Sequence, residues 1–231
     1  MAIVQKYRTT VRAVRRILPD VYSVTFASAD RPFRFRPGQF LHLALDAYDP
    51  TRPWPESRCF SIQSPPAQDT RAIQISFATK GEFTRRMSGD LAPGREIWVK
   101  LPYGDLFNAD NSHQECVFIA GGTGVTPFLS LFLDDSFRRY SRPFLYLGVR
   151  TAAYHVFATD IARAVTVNPA LVVEIFRQDA EGLIPIDRLA LQHGKTSVYY
   201  LSGPAGMIRG FRGHLLAIGV PAEHIRSDDW E

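Results

Sequence analysis

The stretch that most constrains this chain runs from Val117 to Pro127. Val117-Phe118-Ile119-Ala120 is an apolar run of the length of a buried strand, and Gly121-Gly122-Thr123-Gly124 follows it at once. Three glycines in four positions let a backbone turn sharply and approach another group without Cβ interference. Thr126 is placed to cap a helix whose first residue is Pro127, where a proline loses no hydrogen bond and already has helical φ. Strand, glycine turn and capped helix together aim backbone amides and a helix dipole at a phosphate. The glycine spacing differs from the dinucleotide fingerprint with Gly at the first, third and sixth places. Gly121, Gly122, Thr123, Gly124 and Thr126 are therefore candidates for holding a phosphate on a turn of different spacing.

The rest of the chain divides into two textures. From the N-terminus to about residue 105, short segments of alternating polarity are separated by turn residues: Gln5 to Ile17, Val21 to Ala27, Gly38 to Leu45, Ser57 to Gln63, Ala72 to Thr79 and Glu96 to Leu101. One helix interrupts them, from about Phe83 to Leu91. Asp46 to Glu56, with three prolines, reads as a loop. Six such strands without repeats predict an antiparallel Greek-key β-barrel. After Gln114 the pattern changes to apolar strands alternating with helices, which predicts a doubly wound parallel α/β sheet covered on both faces. The expected domains are residues 1–107 and 113–231, with the boundary within Tyr103 to Gln114.

Composition narrows the function. With 231 residues and 45% hydrophobic content the chain can bury the cores of two domains. The charged N-terminus, Met1 to Arg16, is unlike a signal peptide, and no apolar run has the roughly 20 residues a bilayer span needs. The expectation is a cytoplasmic protein with no membrane association. Cys59 and Cys116 stand apart, which gives neither a disulfide framework nor a cysteine cluster, and the six histidines show no metal-ligand spacing. No metal site is expected. Residues 1 to 110 carry 16 Lys and Arg against 11 Asp and Glu, whereas the remainder carries 11 against 12. A basic first half suits an acidic protein partner; nucleic acid is not expected, since no nucleic-acid-binding motif accompanies the charge.

Three further short motifs carry chemistry. In Arg58-Cys59-Phe60-Ser61, alternation puts Arg58 and Phe60 on one face of a strand and Cys59 and Ser61 on the other. Gly81-Glu82-Phe83-Thr84 opens the single helix of the first half with a small residue and a hydroxyl, suited to a phosphate. Ser202-Gly203-Pro204 follows the apolar Val198 to Leu201, with Met207 behind it. Each alone also reads as an ordinary strand or turn.

Taken in order, Arg-x-Phe-Ser, Gly-x-Phe-Thr, Gly-Gly-Thr-Gly-x-x-Pro and Ser-Gly-Pro resemble the flavin-and-nicotinamide reductases of the ferredoxin-NADP reductase family over the whole chain. The resemblance implies that Arg58 neutralises flavin phosphate, Phe60 packs on the isoalloxazine and Ser61 hydrogen-bonds near flavin N5, with Cys59 in the same binding stretch. Tyrosine is usual where Phe60 stands. Gly81, Phe83 and Thr84 with their helix would hold the pyrophosphate. Ser202 replaces the family's usual cysteine beside the nicotinamide, next to Gly203, Pro204 and Met207. At the chain end Trp230 resembles the family's flavin cover, and Asp228 or Asp229 its carboxylate; Ser61, Ser202 and Asp229 are thus the candidate catalytic residues. Arg150 and Arg177, each just after a strand, match arginines that select NADPH through its 2′-phosphate, while Leu183 occupies a third such position.

The implied activity is a flavoprotein oxidoreductase that takes hydride from NAD(P)H onto FAD and passes electrons singly to a separate carrier such as a ferredoxin, or to an oxygenase component. FAD is favoured over FMN by the second phosphate site at Thr84, and NADPH over NADH by two arginines out of three. The alternative is a free-flavin reductase. A non-enzymatic nucleotide-sensing or interaction module ranks last.

Overall fold

The computed structural model describes residues 3–228, which divide into two compact units between Gly104 and Asp105.

The first unit is a six-stranded antiparallel sheet made of β1 (Gln5–Leu18), β2 (Val21–Ser28), β3 (Phe40–Ala44), β4 (Ser57–Ser61), β5 (Ala72–Ala78) and β6 (Glu96–Tyr103), in the order β4-β3-β6-β1-β2-β5. The alternation read from the sequence is the pleat of this sheet: Leu41, Leu43, Ile73, Ile75, Ile97 and Val99 point inward and are wholly or almost wholly buried. Register shifts in β1 between Val11 and Ala13 and between Arg16 and Leu18 curl the sheet. Just past β4 the Gln63 amide donates to the Gln74 carbonyl of β5 at 2.8 Å, and the Ser76 hydroxyl donates to Gln63 Oε1 at 2.6 Å. The two edges are thereby stitched together where no full ladder joins them. Helix α1 (Glu82–Asp90) plugs this unit with Phe83 and Met87.

In the second unit five parallel strands take the order β11-β10-β7-β8-β9, from β7 (Glu115–Gly121), β8 (Arg142–Val149), β9 (Val172–Arg177), β10 (Val198–Ser202) and β11 (Ile225–Ser227). Period-two alternation explains why β7 is apolar from Cys116 to Ala120. Cys116, Phe118 and Ala120 enter one core while Val117 and Ile119 enter another on the opposite face. Helices α2 (Thr126–Phe132) and α3 (Ala158–Val167) cover the first face, and α4 (Ile186–His193) and α5 (Ala205–Ala217) cover the second. Phe118 and Tyr200, opposite each other in register, stack at 4.8 Å between centroids. The chain runs outward from β7 in both directions, so strand order reverses between β7 and β10, and open sheets of this kind bind ligands at the carboxyl ends beside that reversal. The opposite end of the sheet is closed by a buried polar chain: His193 meets Glu115 Oε1 at 2.6 Å and the Tyr146 hydroxyl at 2.7 Å, and Ser197 donates to the same carboxylate at 3.0 Å. That chain fastens α4 to the sheet and satisfies groups that would otherwise be buried without partners.

Among the described residues no helix is long and apolar enough to cross a membrane.

Candidate functional site

Motifs distant in sequence meet within each unit. In the first, the guanidinium carbon of Arg58 on β4 lies 5.1 Å from the ring centroid of Phe83 at the start of α1. Arg58 is half-exposed; its Nη2 donates to Glu56 Oε1 at 2.8 Å and its Nη1 to the Ser57 carbonyl at 2.9 Å. Phe60 is half-buried against Phe77, with ring centroids 6.1 Å apart. Ser61, also half-buried, ends β4 opposite Phe40.

Cys59 does not join Arg58 and Phe60. Its side chain points to the other face, where Sγ lies 3.5 Å from His42 Nε2. Burial pushes the thiol up, with Lys100 and Arg58 pulling partly back, so the thiol is protonated at neutral pH. Burial, then the charge of Lys100, lowers His42, which is therefore neutral there.

At the opening of α1, the Thr84 hydroxyl accepts from the amides of Lys80 at 2.9 Å and Gly81 at 3.1 Å and donates to the Gly81 carbonyl. This hydroxyl is a capping group, and it leaves the amides of Glu82, Phe83 and Thr84 ahead of the first intrahelical bond, Arg85 to Gly81. Gly81, like Gly89, Gly206, Gly210 and Gly213 within helices, is a glycine that neither packing nor backbone conformation requires. Its φ of −137° and ψ of −176° suit any residue, and an added Cβ would meet nothing within 4 Å. A bare extended position beside free amides and a stacked arginine fits a phosphate brought up close.

In the second unit the glycines have a different reason. A Cβ on Gly121 would lie 2.8 Å from Pro204 Cδ, and one on Gly124 would lie 2.5 Å from Gly203 Cα and 2.6 Å from the Ser202 carbonyl oxygen. Gly203, at φ +149°, faces Gly121 in turn, and a Cβ there would approach Met207 Cε to 2.8 Å. The glycine turn and the Ser202-Gly203-Pro204 turn are thus pressed together at the carboxyl ends of β7 and β10, where Ser202 pairs with Ala120. Ser202 is buried, and Thr123, Gly203 and Met207 are half-buried. Gly122, at φ +55°, and Gly203 are in addition required by their backbone conformations.

The helix start differs from the expectation. A 3₁₀ turn, Gly122–Val125, intervenes before α2, and Thr126 is the first residue of the helix rather than its cap. Its buried hydroxyl donates to the Thr123 carbonyl at 2.9 Å. The cause is geometric: close packing on the 202–204 turn keeps the chain tightly wound straight from the strand.

At the ends of β8 and β9, Arg150 and Arg177 stand on neighbouring strands. The Arg150 guanidinium carbon is 5.4 Å from the Tyr154 ring centroid, and Arg177 is gripped by Glu181. Leu183 is exposed. Asp228 is buried just past β11; Asp229 and Trp230 lie outside the described residues. Among the described residues no group of three or more His, Cys, Asp or Glu could hold a metal ion. Sequence reasoning missed Glu56 and Glu181, the carboxylates on the two site arginines. Glu181 was discoverable, because it stands four residues after Arg177 in a segment that turns.

A curled antiparallel sheet followed by a doubly wound parallel sheet, with paired motifs at the strand ends, is the two-domain fold of the ferredoxin-NADP reductase family, and the resemblance drawn from the four motifs holds at the level of architecture. The relatives give that class its particulars. The reductase component of propane 2-monooxygenase from Mycolicibacterium goodii is 28% identical, covering 98% of this chain and 68% of its own. The reductase component of phenol 2-monooxygenase from a Pseudomonas species is 31% identical over 65% of this chain, and the match covers 41% of that relative. Among solved structures, an Amycolatopsis cytochrome P450 reductase superposes with TM-score 0.82 at 21% identity, covering 98% of this chain and 70% of the other. A Neisseria gonorrhoeae ferredoxin NADP+ reductase superposes with TM-score 0.77 at 17% identity over 98% and 99%. No family model matches the chain. This chain spans about two thirds of the propane 2-monooxygenase reductase and less than half of the phenol one.

Proposed function

We propose that this chain is a flavoprotein oxidoreductase that takes hydride from NAD(P)H onto FAD and delivers electrons one at a time to a separate component, either a small acidic carrier such as a ferredoxin or an oxygenase. The observation that carries the reading is the placement of Arg58 on Phe83, which joins the first two motifs at a helix start whose Gly81 has no structural reason to lack a side chain. FAD, when bound, accepts two electrons as hydride and releases them singly, which a nicotinamide cannot do.

The protein's own part is positioning. Arg58 supplies positive charge to a phosphate, with the amides at the head of α1 beside it. Phe60 offers an aromatic face, and Ser61 a hydroxyl at the end of the same strand. In the second unit the glycine turn and Ser202-Gly203-Pro204 form a ledge of small residues at the strand ends, suited to a flat ring and its pyrophosphate. Cys59 and His42 are both uncharged at neutral pH and meet on the side of β4 away from Arg58 and Phe60, so neither brings charge to a phosphate. Catalysis by such a site rests on orientation in a dry contact rather than on proton transfer.

One observation favours the free-flavin reductase as a second reading. Glu56 already engages Arg58, which weakens its hold on a phosphate and suits a flavin that comes and goes. Anaerobic stopped flow with Ser61→Ala separates positioning from binding: the flavin stays bound and is reduced more slowly. Reduction of the variant's flavin at the parent rate would sink the Ser61 assignment.

A further inference from the structure

Arg177, at the carboxyl end of β9, is not a free cation. Its Nε and Nη2 donate to Glu181 Oε1 at 3.1 and 2.6 Å, Nε also reaches Oε2 at 3.3 Å, and the Arg177 backbone amide donates to Oε2 at 2.6 Å. The turn between them is fixed: the Glu181 amide donates to the Arg177 carbonyl at 2.7 Å, and Gln178 and Asp179 donate to the carbonyls of Val149 and Arg150 at 2.8 and 3.2 Å. These bonds lash the turn after β9 to the end of β8, so the carboxylate belongs to the same strand-end cluster as Arg150 and Arg177. The bonds from Arg177 hold the Glu181 carboxyl below the usual carboxylate range, and it is ionised at neutral pH.

We propose that Glu181 is a specificity-determining residue for the nicotinamide nucleotide, acting against the 2′-phosphate of NADPH by occupying Arg177 and by placing a negative charge beside it. The inference rests on the reading of the second unit as the nucleotide site. In sheets of this topology the adenosine ribose lies at the ends of the strands that follow the phosphate turn, where an acidic side chain suits a ribose hydroxyl and an arginine suits a phosphate. Here the two are paired. A 2′-phosphate recruiting Arg177 must first break a forked guanidinium–carboxylate contact and then share the space with the released carboxylate, whereas a 2′-hydroxyl meets neither cost. Specificity is the difference between those two affinities. Both side chains are half-exposed, at 47% and 41%, so solvent screens the effect and keeps it to several-fold.

Calorimetric titration of the whole protein with adenosine 2′,5′-bisphosphate and with AMP tests this, using the parent, Glu181→Gln, Arg177→Ala and the double variant. Glutamine keeps an oxygen for the Arg177 backbone amide and removes only the charge. Glu181→Gln tightens the bisphosphate roughly two- to fivefold and leaves AMP unchanged, and Arg177→Ala abolishes the gain in the double variant. The ratio of kcat/KM for NADPH over NADH moves by the same factor. Equal changes for the two adenosine nucleotides, or a gain that survives loss of Arg177, overturns the role of Glu181. A parent that binds neither nucleotide, nor NADH, overturns the site itself, and that result is distinct from the other two.

Discussion

The guanidinium of Arg58 stacks on the ring of Phe83, 5.1 Å from carbon to centroid, and so joins an edge strand to the head of the helix of the first unit. Phe83 is anchored in the core, and the arginine is therefore presented on a firm base while its charge stays in solvent.

Removing that charge should loosen flavin. Arg58→Ala deletes a charge-assisted phosphate contact, which typically contributes about 1.5 to 3 kcal/mol, and lowers flavin affinity by roughly ten- to a hundredfold. Glu56→Gln moves the other way, because it removes the negative charge that Glu56 holds against Nη2 at 2.8 Å. Fluorescence titration with FAD measures both; equal affinities in the two variants would remove Arg58 from the flavin site.

Two glycines should fail in opposite senses. Gly124→Ala drives a Cβ into the Gly203 backbone, which cannot swing aside, and destabilises the second unit by about 1 to 3 kcal/mol in denaturant unfolding. Gly81→Ala meets open space and holds stability within about 1 kcal/mol, yet weakens flavin binding. A Gly81→Ala protein with parental flavin affinity would leave that glycine without a ligand to explain it.

Alkaline pH should weaken the fold from inside the second unit. Burial is the main reason that the Cys116 thiol and the Tyr199 phenol are both pushed up to about 12. Each keeps its proton in the folded chain where the unfolded chain has lost it, so stability is full below the ordinary cysteine value of about 8.5 and declines as pH climbs toward 12. Denaturant melts at stepwise higher pH check this. Alkylation is a companion test: Cys59 reacts more slowly than a free thiol, and Cys116 only on unfolding, because both thiols are held protonated by burial.

Much of this architecture was legible in the residues. The switch from alternating to continuous apolar strands gave the two sheets, because one face or both faces of each strand are buried, as at Leu41 and Leu43 against Val117 to Ala120. What stayed hidden depends on contacts between distant segments. The 3₁₀ turn that displaces Thr126 from the cap comes from packing against residues 202–204, and the partners of Arg58 and Arg177 are set by local loop paths that hydrophobic periodicity does not encode. Thr84 was rightly placed at the helix start, but its hydroxyl turns back on Lys80 and Gly81, since capping satisfies amides that the helix would leave bare.

Whether one chain both holds flavin and takes hydride to it from a nicotinamide nucleotide is read from the visible absorption spectrum of the purified, FAD-supplemented and gel-filtered protein, followed anaerobically as NADH or NADPH is added. An oxidised-flavin spectrum travels with the protein and bleaches on nucleotide addition. A colourless protein that also fails to reduce added free flavin, or a bound flavin that neither nucleotide bleaches, would contradict the proposed function.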